Sequence, residues 1–146
     1  MRKLIDTNVW LALLLSGHHH HTKVLRWFRS ENSGDVLLFC RSTQQSVLRL
    51  LTTEAVFKPF GNPPLTNDEA RSVYESLLEN ERIEFAAEPL EVESDWLAFS
   101  SRGSASPKVW MDAYLAAFAK AGGYPIVTLD SAFERFDGVD LILING

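Results

Sequence analysis

With 146 residues, 46% of them hydrophobic and 23% charged, the chain has the size and composition of one domain, residues 1–146, with a full hydrophobic core. A single cysteine excludes an internal disulfide framework, and no run approaches the roughly twenty apolar residues of a membrane span, so a soluble protein of the reducing cytoplasm is expected. The net charge of −5 argues against a general basic coat for nucleic acid but leaves an acidic metal site open, because such a site itself makes the chain more negative.

Taken in chain order, strand and helix alternate. RKLI (2–5) reads as a short buried strand. Thr7 or Asn8 is suited to cap the next helix, VWLALLLS, which ends at Gly17. That helix is apolar nearly all round, so it belongs inside. Its run is too short for a secretory signal, and Asp6 precedes it. A second helix, about 20–31, places Val24, Leu25 and Phe28 at helical spacing and stops at Asn32-Ser33-Gly34. VLLFC (36–40) is the next strand, with Cys40 as a small buried hydrophobe.

STQQSVLRLLTT (42–53) reads as a helix with Val47, Leu50 and Leu51 on one stripe. Three of the six prolines fall in 58–65, a loop. It ends at Thr66, which forms a capping box with Glu69 and opens a helix to about Leu78. IEFAA (83–87) is a candidate strand and 90–100 a helix, followed by the loop RGSAS (102–106). Pro107 suits the first helical position behind Ser106, and that helix runs to Gly122-Gly123. IVTL (126–129) and LILI (141–144) close the pattern as strands. Strands separated by helices predict an α/β fold: a three-layer α/β/α single domain around a mostly parallel sheet.

In such sheets ligands bind beyond the carboxyl ends of the strands. Asp6 and Asp130 each follow an apolar strand directly. Asp112 lies early in the helix of 107–122, beside a core stripe of Met111, Leu115 and Phe118, and the small residues Ala113, Ala116, Ala117 and Ala119 let that helix lie close to the sheet. Each acid has a plain structural reading as well: Asp6 as a turn former or helix cap, Asp130 as the cap of SAFERF. Asp112, on a mostly apolar helix, is harder to explain without a charge partner. Three carboxylates brought together repel one another unless a cation neutralises them, and an oxygen-only ligand set suits Mg²⁺ or Mn²⁺. A metal-dependent phosphodiester-cleaving enzyme is the leading expectation.

DTNVWLALL at the start, QSVLRLLT in the middle and WMDAYLAAFAKAGGYPIVTLDSAF near the end resemble the PIN-domain family, and most of all the VapC toxins of bacterial toxin–antitoxin pairs. The resemblance spans nearly the whole chain in order. It implies a Mg²⁺- or Mn²⁺-dependent endoribonuclease that acts on RNA, forms a homodimer and is inhibited by a cognate antitoxin. Asp6, Asp112 and Asp130 match three acidic positions of the family, Thr128 the threonine of its T-x-D, and Asn8 the polar residue two after the first acid. One position departs: where the family commonly has a glutamate, three residues before Arg49, this chain has Ser46, a neutral oxygen. Glu134 is a substitute acid to consider. The alternative reading is a PIN-like module that binds RNA or antitoxin with weakened or no catalysis, because Ser46 replaces an acid. An aspartyl phosphatase is a further rival, but DTN lacks the second carboxylate such a site needs.

Weaker signals remain. Arg102 and Lys108 bracket the RGSAS loop and are candidates to position RNA phosphates, against a plain reading as solvated charges. Trp110 offers a stacking face for an unpaired base, although packing in the core or between copies is the commoner use. Arg49 is expected to pair structurally. His18 to His21 read as a solvated loop entering the second helix rather than as a metal tract.

Overall fold

The computed structural model describes residues 1–30 and 34–145. Among these residues five parallel strands form one sheet in the order β3-β2-β1-β4-β5: β1 (Arg2–Ile5), β2 (Val36–Phe39), β3 (Ile83–Phe85), β4 (Ile126–Thr128) and β5 (Leu141–Leu143). Successive strands are laid down in one direction from β1 and in the other from β4, so the crevice that such a switch point creates opens at the carboxyl ends of these two strands.

Among the described residues seven α-helices cover the sheet: α1 (Thr7–Leu14), α2 (His21–Ser30), α3 (Arg41–Leu51), α4 (Glu54–Phe57), α5 (Asn67–Leu78), α6 (Val92–Ser100) and α7 (Val109–Gly122). Alternation along the strands sorts them into two layers. Ile5, Leu37, Phe39 and Val127 face the core built with Val9, Trp10, Val24, Val47, Leu51 and Tyr74, which belongs to α1, α2, α3 and α5. Leu4, Leu38 and Ile126 face the other core, with Ala113, Ala116, Phe118 and Ala119 of α7 and the partly buried Trp96 and Phe99 of α6. The three-layer expectation is met. Ala113, Ala116, Ala117 and Ala119 of α7 are fully buried, as a helix lying close on a sheet requires.

Several boundaries differ from the sequence reading. The first helix is capped by Asp6, not by Thr7 or Asn8, and ends at Leu14 rather than near Gly17. The third strand stops at Phe85, and Lys58–Phe60 within the proline-rich segment form a short 3-10 turn. The capping box of Thr66 and Glu69 is present in both directions. Pro107 lies in a turn, and α7 begins at Val109, whose N–H bonds the Ser106 carbonyl at 3.1 Å. The proposed stop of α2 at Asn32-Ser33 falls outside the described residues. Among the described residues no helix is long and apolar enough to cross a membrane.

Candidate active site

The carboxyl end of β1 delivers Asp6 into the switch-point crevice. Its side chain is buried, with 8% exposure, and both oxygens are bonded. The Thr7 N–H donates to Oδ1 at 2.7 Å and the Thr128 hydroxyl to Oδ2 at 2.8 Å. Thr128, fully buried at the end of β4, is the knot between the two strands. Its oxygen also accepts the Asp130 N–H at 3.0 Å and the Asn8 Nδ2–H at 3.4 Å, while Asn8 Oδ1 accepts the Leu129 N–H at 3.3 Å. Asn8 and Thr128 thus position the acids instead of facing solvent.

Burial is the largest influence on Asp6 and lifts its carboxyl from 3.8 to about 6. The bonds from Thr128 and Thr7 oppose that rise, and the charges of Asp112 and Asp130 add to it. Asp112, in the first turn of α7, is pushed up by burial and by Asp130, and pulled down by Arg135. The two acids share one cleft of about 280 Å³, lined also by Thr7, Ser42, Ser46, Arg49, Leu50, Met111 and Leu115. Asp130 stands outside that lining, on an exposed rim, where its Oδ1 accepts the Ala132 N–H at 2.9 Å and caps a 3-10 helix, Ser131–Arg135. Both readings of Asp130 therefore apply: it caps SAFERF, and its charge reaches the other two acids.

The cleft suits a hard divalent cation in chemistry. Its donors are oxygens, and its buried carboxyl carries a charge that burial and two neighbouring acids disfavour. Among the described residues no three His, Cys, Asp or Glu side chains are grouped tightly enough to hold an ion by themselves. Asp6 and Asp112 are the two carboxylates of this cleft that could hold such an ion, with other oxygens completing its shell. Ser46 does face the cleft, so the missing glutamate would have stood beside these two acids.

The remaining sequence readings are met in part and corrected in part. Met111 is not in the core: it is 54% exposed and lines the cleft, while Val109 in the same turn stays buried in the α7 core. Arg49 forms no ion pair among the described residues and lies exposed on the cleft wall. Glu134 is exposed, and it is the next residue, Arg135, that reaches the acids, with Nη2 3.2 Å from Asp112 Oδ2. Sequence periodicity carried no signal for Arg135, since a 3-10 turn has no amphipathic repeat to read. Arg102 Nη1 is committed to the carbonyls of Phe99 and Ser101, at 3.0 and 2.6 Å, while Lys108 is exposed just ahead of α7. Trp110 is half-exposed, held by the Trp96 Nε1–H bond to its carbonyl at 2.9 Å. His18 to His20 form a turn, and the His21 Nδ1–H bonds the Ala12 carbonyl at 2.8 Å, tying α2 to α1.

Residues 3–139 match the PIN domain, and the chain belongs to that family. It is 53% identical over 142 residues to Ribonuclease VapC41 of Mycobacterium tuberculosis, with 97% of each chain covered. Among solved structures, VapBC2 from Rickettsia felis, bound to a DNA fragment from their promoter, superposes with a TM-score of 0.67 at 12% identity, over 99% of this chain and 100% of that one. Mycobacterium tuberculosis VapC20, a sarcin–ricin loop cleaving toxin, superposes with a TM-score of 0.63 at 17% identity, over 94% of this chain and 98% of that one. At such identities the two structures speak for the fold.

Proposed function

We propose that the chain is a divalent-metal-dependent endoribonuclease, the toxin of a VapBC-type toxin–antitoxin pair, which hydrolyses RNA phosphodiester bonds in the cytoplasm. The observation that carries this reading is the pairing of buried Asp6 with Asp112 in one cleft at the β1–β4 switch point. The 53% identity to a ribonuclease across 97% of the chain supports it.

Asp6 and Asp112 hold the ion, Mg²⁺ or Mn²⁺. The bound ion supplies Lewis acidity toward a phosphate oxygen and toward water. Thr128 and the Thr7 N–H fix the direction of the Asp6 carboxylate, so it does not have to reorganise as charge develops. Asp130, on the rim, orients water at the mouth of the cleft. Lys108, exposed at the approach to α7, meets phosphates along the RNA backbone, a contact that positions without reading sequence. A cognate antitoxin and a second copy of the chain are the proposed protein partners.

The test is cleavage of RNA by purified protein with Mg²⁺ or Mn²⁺, its loss in EDTA, and its return when the ion is restored. Cleavage that EDTA leaves untouched sinks the reading. A second reading, an RNA- or antitoxin-binding module with little catalysis, draws on Ser46 standing where an acid would face the ion. Ser46→Glu separates the two. Under the ribonuclease reading, cleavage by the variant stays within about tenfold of the unaltered protein, whereas activity that emerges only in the variant supports the binding module.

A further inference from the structure

Among the described residues Arg135 is the one cation bonded to any of the three aspartates, through Nη2 to Asp112 Oδ2 at 3.2 Å. Resting on the ribonuclease reading, we propose that Arg135 is a further catalytic residue: it holds Asp112 while no metal is bound, yields it to the divalent ion, and then donates to the phosphate under attack.

The backbone that carries Arg135 is well fixed. The 3-10 helix of Ser131–Arg135 is pinned at one end by the Asp130 cap and by the buried rings of Phe133 and Phe136. Its guanidinium carbon lies 4.9 Å from the Phe136 ring centroid. The charged tip is held differently. Its side chain is 36% exposed and that of Asp112 is 31% exposed, so water screens the pair and the contact is easily exchanged. A deeply buried pair would be a structural fixture; this one sits at the mouth of the site with a ready alternative in solvent.

Formal charge gives the exchange its direction. Asp6, Asp112, Asp130 and Arg135 together carry minus two, the charge that one divalent ion cancels. Once the ion binds Asp112, the attraction that held Arg135 there is neutralised, while an arriving phosphodiester brings one new negative charge to the same place. A guanidinium presents paired N–H donors in the geometry of two phosphate oxygens and stays protonated throughout. In the reaction, the oxygen of water bonds to phosphorus, and the bridging P–O bond breaks. Its electron pair leaves on the ribose oxygen, which takes up a proton; Arg135 contributes hydrogen bonds only. Without the exchange, Arg135 would compete with the ion for Asp112, so the arrangement also keeps the acids partly neutralised until metal arrives.

The proposal is tested with the full chain as Arg135→Ala and Arg135→Lys, each measured by Mn²⁺ calorimetry without RNA and by single-turnover cleavage of a single-stranded RNA. Two opposite movements are expected in Arg135→Ala. Mn²⁺ binds about tenfold more tightly because Asp112 is released, while the cleavage rate falls about a hundredfold, the usual loss for one donor to a developing charge. Arg135→Lys recovers part of the rate. Weakened Mn²⁺ binding together with slow cleavage in both variants would mark Arg135 as a structural brace and overturn the proposal, as would an unchanged single-turnover rate. If the unaltered protein cuts no RNA, the ribonuclease reading fails and takes this proposal with it; if it cuts and Arg135→Ala matches it, only the role of Arg135 fails.

Discussion

Replacing Asp6 by asparagine removes the most unfavourable buried charge of the site while nearly keeping its shape. Burial, ahead of the neighbouring acids, raises this carboxyl from 3.8 to about 6. At about 1.4 kcal/mol per pH unit, ionised Asp6 costs the metal-free fold roughly 3 kcal/mol once the pH is above its folded value. The folded chain holds the proton across the window from 3.8 to about 6 in which the unfolded chain has lost it, so stability falls as pH rises through that window. Asparagine escapes the penalty. It gives back about 1 kcal/mol, because an amide has one acceptor oxygen for the two donors, Thr7 N–H and Thr128 hydroxyl. The expected net gain of Asp6→Asn is about 2 kcal/mol near pH 7.5, or about 4–8 °C in Tm, falling through zero between about pH 4 and 5, where the burial penalty no longer exceeds the lost hydrogen bond. Thermal melting followed by circular dichroism in EDTA measures it, and Mn²⁺ should then stabilise the unaltered chain but not the variant. A variant that melts lower near pH 7.5, or a gap that ignores pH, would refute the reasoning.

Thr128→Val should cost about 3 kcal/mol in urea unfolding, because it strips a donor from Asp6 and leaves the Asp130 N–H without its acceptor. A loss below about 0.5 kcal/mol would show that the knot between β1 and β4 is dispensable. Trp10→Ala should cost about 3–5 kcal/mol, since Trp10 is fully buried and its ring stacks on Phe39 with centroids 4.0 Å apart. Melting that stays within a few degrees of the unaltered chain would contradict that packing. Asp112→Asn should abolish cleavage yet leave the melting temperature in EDTA nearly unchanged, because the ion pair it breaks with Arg135 is screened by water; parallel melting and cleavage assays decide it.

Much of the fold was legible because local signals agreed with one another. The strand–helix alternation, the capping box at Thr66 and the alanine face of α7 each state a local preference that the packed structure keeps. Errors clustered where tertiary context overrides local pattern. Met111 shares the helical stripe of Leu115 and Phe118, yet those two are buried while Met111 opens to the cleft, a difference that no helical repeat encodes. Asp6 is a helix cap whose other oxygen accepts from Thr128 across a strand pair far apart in sequence, a contact that no local pattern encodes. Pro107 carries a strong helix-start signal, yet the turn before α7 absorbs it. Arg135 had no signal at all, because a side chain at the end of a 3-10 turn is aimed by the packing of Phe133 and Phe136.

The most direct single measurement is Mn²⁺-dependent cleavage of RNA by the purified chain beside Asp6→Ala and Asp112→Ala, at matched folded concentration. The expected result is cleavage by the unaltered chain that stops in EDTA and is absent from both variants. Cleavage that persists in both variants would contradict the assignment of this cleft as the active site.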